Sequence, residues 1–120
     1  MEDNGFIAYL PEEIRLDDHP QTSRIGQVTY QQVVLDDRDT GMIVKLIRYP
    51  KGVVTKRHDH PCAHGMYVLK GTLYTDRGYF PPGSFIWFEE GTVMEHGGKD
   101  EDVECLFITN KPFEIRYLED

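Results

Sequence analysis

The chain has few of the residues and runs that mark several common protein classes. Its 120 residues include only two cysteines, Cys62 and Cys105, so a small scaffold built on several disulfides is excluded. Its 13 basic residues are outnumbered by 21 acidic ones, and the net charge of −8 leaves no basic footprint for nucleic acid or for an anionic membrane. No apolar run approaches a membrane span, and the N-terminus lacks the layout of a secretory signal. These absences predict a soluble, cytoplasmic protein.

Helical periodicity is also scarce, and strand signals take its place. Residues 1–23 predict an N-terminal arm of mixed polarity, with one possible helical turn over residues 11–14 and His19 as a surface residue. From residue 24 onward, short β-branched and aromatic segments alternate with turns rich in Gly and Pro. About eight or nine such strands predict a single all-β domain over residues 24–120, built as an antiparallel sandwich or barrel.

The chemistry of the sequence is concentrated in one histidine cluster. His58, His60 and His64 lie within seven residues of one another. Their offsets of two and four are even, so on extended strands the three imidazoles point to one face. Converging imidazoles are typical of a site for Zn, Cu, Fe or Ni. The alternative is a solvated polar turn that happens to be rich in histidine, since Asp59 and Pro61 lie in the same stretch.

The residues around this cluster resemble the first motif of the cupin superfamily, G-x5-H-x-H-x3,4-E-x6-G. The matching residues are Gly52, His58, His60, His64 and Gly71, with His64 in the position of the usual glutamate. That substitution is similar to the four-histidine sites of some small single-domain cupins. The resemblance implies a single-domain cupin, that is, a double-stranded β-helix or jelly-roll barrel.

The second cupin motif, G-x5-P-x-G-x2-H-x3-N, is matched less closely. Gly83 and Gly91 hold their positions, but Glu89 replaces the proline and Met94 occupies the usual ligand position. His96 follows two residues later, and an even offset on a strand still lets it face the same way. The resemblance therefore implies a metal site made of His58, His60, His64 and His96.

Apolar residues on the same strand faces as the histidines are expected to line a substrate pocket. Strand alternation selects Met66 and Val68, which follow His64 at even offsets, and Met94, which precedes His96 by two residues. Plain core packing is the alternative for all three. A pocket of this kind favours an uncharged substrate body, and the net charge of −8 disfavours highly anionic substrates.

Three glutamates near the cluster are candidates to orient the imidazole N–H groups: Glu89, Glu90 and Glu95. For Glu89 and Glu90 the alternative is a solvated acidic turn. Glu95 is the candidate catalytic proton acceptor, although its parity opposes that of His96. Cys62 is expected to pack as a small apolar residue beside the site.

The resemblance implies one divalent transition-metal ion, with Fe²⁺ or Mn²⁺ favoured over Ni²⁺ or Zn²⁺. The chain is similar to histidine-ligated cupin dioxygenases of the acetylacetone-cleaving type, which implies oxygenation of a small carbonyl compound or diketone. The alternatives are a Lewis-acid isomerase or hydrolase and a non-catalytic barrel that senses a small molecule or metal. A homodimer is expected, because the arm would dock on an exposed sheet edge of a partner.

Overall fold

The computed structural model describes residues 2–3 and 5–118, and these are almost entirely β-structure. Their helical segments are two 3₁₀ turns, Pro11–Glu13 and Leu16–Asp18, and none of their helices is long and apolar enough to cross a membrane. The strands are β1 (Glu2–Asp3), β2 (Phe6–Ile7), β3 (Pro20–Thr22), β4 (Val28–Asp36), β5 (Ile43–Tyr49), β6 (Val53–Asp59), β7 (His64–Lys70), β8 (Leu73–Thr75), β9 (Gly78–Phe80), β10 (Phe85–Phe88), β11 (Met94–Gly98), β12 (Val103–Thr109) and β13 (Arg116–Tyr117).

Two antiparallel sheets form the barrel. One has six strands in the order β10-β7-β12-β5-β4-β3, and the other has five in the order β13-β6-β11-β8-β9. Many neighbours are distant in sequence: β7, for example, lies between β10 and β12. Such connections, with all pairs antiparallel, are those of a jelly-roll barrel. The all-β, single-domain jelly roll predicted from the sequence is confirmed.

Strand alternation builds the core between the two sheets. Along β12, every second side chain from Val103 to Thr109 is buried, while those between them are partly exposed. Cys62 and Cys105 are buried free thiols, so both pack as small apolar groups. The core cluster consists of Ile47, Tyr49, Met66, Val68, Leu73, Phe88, Met94, Val103, Cys105 and Phe107.

The N-terminal segment is part of the barrel, because its strand β3 belongs to the six-stranded sheet. β3 pairs with β4 of the same chain, so the predicted arm supplies an outer strand instead of docking on a partner through β3. Gln32 holds the turns that precede β3: its Oε1 accepts the Arg15 N–H at 2.7 Å, and its Nε2 donates to the Glu13 carbonyl at 2.9 Å. The predicted helical turn is present as a 3₁₀ turn, and His19 is exposed as predicted.

A bulge in β6 turns two polar side chains toward the barrel interior. Met94 of β11 lies opposite His58, but His96 lies opposite Thr55, so one residue of β11 spans two residues of β6. The two residues between Thr55 and His58 are both exposed. Thr55 and His58 therefore share the inner face although their offset is odd, because a bulge re-aims the side chains that flank it.

Candidate metal centre

Four histidines converge inside the barrel from three strands and one loop. His58 lies in β6, His64 begins β7, His96 lies in β11, and His60 follows the end of β6. The ring centres of His58 and His60 are 4.8 Å apart, and those of His60 and His64 are 4.7 Å apart. The ring centre of His96 lies 5.0 Å from that of His58 and 6.2 Å from that of His64, so the four imidazoles form a closed group. The structure thus brings together all four histidines that the two motifs single out.

These separations are compatible with four rings around one ion. An imidazole bound at about 2.0–2.1 Å has its ring centre roughly 3.2 Å from the ion, so two rings on one ion are roughly 4.5–6.4 Å apart. All four measured separations fall in that interval. Within residues 2–3 and 5–118, however, no group of three or more His, Cys, Asp and Glu is already arranged so that it could hold an ion. Binding would therefore require the rings to adjust toward a common centre.

Main-chain carbonyls orient two of the imidazoles. His58 Nδ1 lies 2.5 Å from the Lys56 carbonyl oxygen, and His60 Nδ1 lies 2.6 Å from the Glu114 carbonyl oxygen. A carbonyl can only accept, so the proton of each ring is on Nδ1 and Nε2 keeps its lone pair. Metal-binding histidines typically have their second nitrogen held by an oxygen in this way. The two rings are therefore set up to donate through Nε2.

His64 is held by stacking instead. Its ring lies between Phe107, at 4.8 Å and 21°, and Phe88, at 5.0 Å and 27°. Both of its ring nitrogens are buried without a hydrogen-bond partner among the described residues, and the same is true of His60 Nε2. Buried polar atoms are rarely left in this state. A neutral imidazole has one N–H and one lone pair, so His60 Nε2 and one of the two His64 nitrogens can each donate to a ligand. This chemistry fits a bound cation.

Burial keeps the imidazoles neutral. Desolvation lowers the pKa of His60 to about 4 and the pKa of His64 to about 3, and neighbouring histidines act in the same direction. The pKa of His58 is lowered and that of His96 lies well below its ordinary value, again chiefly because burial disfavours the charged ring. Since only the neutral ring can bind a metal, all four rings are in the binding form at neutral pH.

The close approach of β11 to β6 next to His96 depends on a glycine within β11. A Cβ on Gly97 would lie 2.2 Å from the Val53 carbonyl oxygen and 2.6 Å from the Val54 Cα. Both of those atoms belong to the backbone of β6, which cannot move aside without breaking its pairing with β11. Gly97 thus lets β11 approach β6 closely enough to bring His96 beside His58.

Glu95 does not share the histidines' face, which corrects the prediction of a catalytic role. Its Oε1 accepts a hydrogen bond from the Tyr74 hydroxyl at 2.9 Å. Met94 and His96 are both buried inward, and strand alternation sends the residue between them outward. Glu89 and Glu90 are both exposed, as expected for a solvated acidic turn, and Glu90 forms an ion pair with Lys111.

Met66, Val68 and Met94 point inward, as their parity predicts, but into the core. Their exposed fractions are 0%, 1% and 1%, and all three belong to the hydrophobic core cluster. None of them is among the described residues that line the cavity in front of the histidines. The inner face of a strand continues past the site into the closed part of the barrel, so sharing a face with a histidine does not place a side chain at the cavity.

The cavity beside the histidines has a volume of about 580 Å³, within the range of small-molecule sites. Its described lining includes three cationic side chains, Lys45, Arg24 and Arg116, and no carboxylate. These cations share the cavity wall with apolar side chains such as Ile47, Phe113 and Ile115. The preference for an uncharged ligand stays a prediction. The lining residues are Gln21, Thr22, Ser23, Arg24, Gln27, Thr29, Gln31, Lys45, Ile47, Tyr49, Thr55, His58, His60, His96, Phe107, Phe113, Ile115 and Arg116.

Lys45 is the site residue that sequence reasoning missed. It alternates inward with Ile47 and Tyr49 along β5 and is only 6% exposed. The one available signal was its even offset from those two residues. Both faces of β5 carry apolar side chains, so the pattern could not show which face the lysine shares.

Comparisons with known proteins agree with this fold. The family described as "ChrR Cupin-like domain" matches residues 14–114. A search of curated proteins finds no match. An RmlC-like cupin protein from Ralstonia eutropha is similar in structure, with a TM-score of 0.70 and 18% identity over 89% of this chain and 71% of that one.

Two further solved structures carry functional names. The polyketide cyclase RemF from Streptomyces resistomycificus is 18% identical with a TM-score of 0.66, over 77% of this chain and 72% of that one. A chain in the complex of SigE with the anti-sigma ChrR from Rhodobacter sphaeroides is 21% identical with a TM-score of 0.63, over 79% of this chain and 51% of that one. At these identities the likeness shows a shared fold alone.

Proposed function

Because this chain belongs to the ChrR cupin-like domain family, we propose that it is a metal-binding cupin that acts as an enzyme on a small carbonyl compound. One observation carries the proposal: four buried imidazoles with lowered pKa converge beside a cavity of about 580 Å³. The reaction is of the dioxygenase type, in which O₂ cleaves an enolisable compound such as a diketone.

Four histidines would hold the ion, namely His58, His60, His64 and His96. Imidazole suits several divalent metals, so Ni²⁺ and Zn²⁺ remain alternatives to Fe²⁺ and Mn²⁺. When bound, the ion would supply Lewis acidity toward a carbonyl oxygen and, for iron or manganese, electron exchange with dioxygen. Iron and manganese are favoured because an oxygenase requires that exchange.

The protein's own groups prepare the site for this chemistry. The Lys56 and Glu114 carbonyls fix the orientation of two imidazoles, and the phenyl rings of Phe88 and Phe107 fix a third by stacking. Contacts of this kind limit the orientations that the three rings can adopt before an ion binds. The cavity wall, through its polar side chains, would bind and orient the substrate next to the imidazoles.

A sensor is the second candidate, and a specific finding favours it. A chain of the SigE complex with the anti-sigma ChrR is among the structural neighbours, and the family takes its name from ChrR. In a sensor, occupancy of the cavity or of the histidines would change binding to a partner without turnover. Lewis-acid isomerisation or hydrolysis differs from the oxygenase because it consumes no oxygen, and from the sensor because it turns over a substrate.

Oxygen uptake separates these candidates. Iron- or manganese-loaded protein without a His-tag should consume O₂ above the free-metal background when supplied with β-diketones or hydroxyaryl ketones, with and without a carboxylate. His64→Ala should remove that uptake, because it deletes one ligand, whereas exposed His19→Ala should leave it unchanged. Substrate loss without O₂ uptake would indicate Lewis-acid chemistry. Stoichiometric metal without turnover of any compound would favour the sensor.

The proposed partner is a second copy of the chain, which would cover an exposed apolar face. Phe85 and Trp87 on β10 are 60% and 44% exposed, and Tyr67 and Leu69 on β7 are 43% and 42% exposed. Pairing of Phe85 with Tyr67 puts these side chains on one outer face, at the end of the six-stranded sheet formed by the described residues. Exposed patches of this kind mark interaction sites.

The wild-type protein should therefore scatter light as a dimer at micromolar concentration. Trp87→Glu should give a monomer, because a charge on the buried face would be desolvated. Tyr79→Glu is the matched control, since Tyr79 is 51% exposed but lies on β9 of the other sheet. A monomeric wild type, or a Trp87→Glu variant that remains dimeric, would refute this interface.

A further inference from the structure

Lys45 brings an ammonium group into the barrel, where charged groups are rare. The side chain is buried and lines the same cavity as three of the site histidines. Its Nζ donates a hydrogen bond to Gln31 Oε1 at 2.7 Å. The same nitrogen lies 4.2 Å from the ring centre of Phe113 and 4.8 Å from that of Phe107. One neutral hydrogen-bond acceptor and two phenyl rings therefore surround the ammonium group.

No carboxylate balances this charge within the described part of the chain. The ion pairs formed there involve other cations, and the cavity lining contains no Asp or Glu. The Cys62 thiol stays protonated because burial raises its pKa. Burial lowers the pKa of Lys45 to about 8, which still leaves the ammonium as the main form at pH 7. A buried cation without a counter-charge is destabilising, and a bound anion would remove that penalty.

Shared aromatic rings place the ammonium group near the histidines. Phe113 contacts both Lys45 and His60, whose ring centre is 4.8 Å from its own. Phe107 contacts both Lys45 and His64, again with a ring separation of 4.8 Å. A ligand that extends from the ammonium to the imidazoles would therefore pass these phenyl rings, and an aromatic or other unsaturated body suits that path.

We propose that Lys45, held by Gln31, binds the carboxylate of a small acidic ligand whose other end reaches the histidines. Ammonium–carboxylate hydrogen bonds are charge-assisted and are the strong class of hydrogen bond. Arg24 and Arg116 line the same cavity and add to its positive potential, although Arg116 is already paired with Asp59 at 2.8 Å. The inference rests on the proposed function for the end of the ligand that reacts at the histidines. It narrows the substrate to a carbonyl compound that also carries a carboxylate.

The test compares benzoate with benzamide, which has nearly the same shape and no charge. Calorimetric titration of the metal-free full chain should show that benzoate binds at least about tenfold more tightly than benzamide, the effect of one hydrogen bond between charged groups. Lys45→Met keeps the length and apolar body of the side chain and should abolish this preference. Lys51→Gln, an exposed lysine in the turn before β6, is the matched control and should retain it.

Either of two results would overturn the inference: no preference for benzoate in the wild type, or an unchanged preference in Lys45→Met. If Lys45→Met fails to fold, the nitrogen NMR signal of Lys45 Nζ in the wild type decides. The chemical shift of that signal should change on addition of benzoate and stay constant with benzamide. An unchanged chemical shift with benzoate would also refute the inference. Because metal is absent from this assay, a failure of oxygen uptake would refute the proposed reaction without affecting this result.

Discussion

Replacing His58 and His60 together by alanine should reduce bound divalent metal from about one ion per chain to background, because a four-ligand site cannot survive the loss of half its donors. Both side chains are buried in the ring of imidazoles, at 0% and 2% exposure. Their carbonyl-bound Nδ1 groups give them the most defined orientation of the four. Elemental analysis of protein purified without a His-tag measures the result directly.

His19→Ala is the matched control, since His19 is exposed and is not among the described residues that line the cavity. It should bind as much metal as the wild type. Circular dichroism should show the same β-type spectrum for the wild type, the chelator-treated wild type and both variants, because the core cluster is aliphatic and aromatic and does not require an ion. Equal metal content in the wild type and the double variant would end the metal hypothesis.

The metal-free protein should lose stability as the pH falls from about 6.5 to about 4. In the folded state the pKa of His60 is about 4 and that of His64 is about 3, below the ordinary value of 6.5. Between these values the unfolded chain binds more protons than the folded one, so the free energy of unfolding rises with pH. Each unit of pKa difference corresponds to about 1.4 kcal/mol, and the loss should exceed that amount. Urea unfolding across the pH range measures it.

His64→Phe is the variant that isolates this effect. The substituted ring would stack between Phe88 and Phe107 as the imidazole does, but it cannot be protonated. The pH dependence should become shallower, and the metal-free variant should be more stable than the wild type in acid. His19→Phe should leave the slope unchanged, because that position is exposed. A slope in His64→Phe equal to that of the wild type would show that the buried imidazole does not control acid stability.

These two experiments concern different properties of the same ring of imidazoles. Metal content reports whether the nitrogens act together as ligands, whereas acid stability reports only that they are buried in the neutral form. Acid should destabilise the metal-loaded protein in two ways. It protonates the histidines of the unfolded chain and it releases the ion from the folded chain, and both effects favour unfolding. Comparing loaded and stripped protein therefore separates the stabilisation that the ion adds from the stabilisation lost by protonation.

The sequence by itself determined the fold class and the four histidines that meet. Strand alternation and turn spacing are local properties, and they were enough to predict an antiparallel sandwich or barrel and to place His58, His60 and His64 on one inner face. The jelly-roll topology came from the resemblance to the cupin motifs. His96 lies two residues after the usual ligand position, and residues two apart on a strand point to the same face. The sequence therefore also predicted that His96 faces the other three histidines. Parity also placed Met66, Val68 and Met94 inside.

Only the tertiary structure decided what surrounds the histidines. The carbonyl that orients His60 comes from Glu114, 54 residues away, and a main-chain oxygen leaves no signature in the sequence. Parity alone could not place Met94 in the core rather than at the cavity, and the partner of Glu95, Tyr74, lies on a neighbouring strand. The sequence could not show that Lys45 lines the cavity, because both faces of its strand carry apolar residues. Only the packing of the two sheets determines which face of β5 is turned toward the cavity.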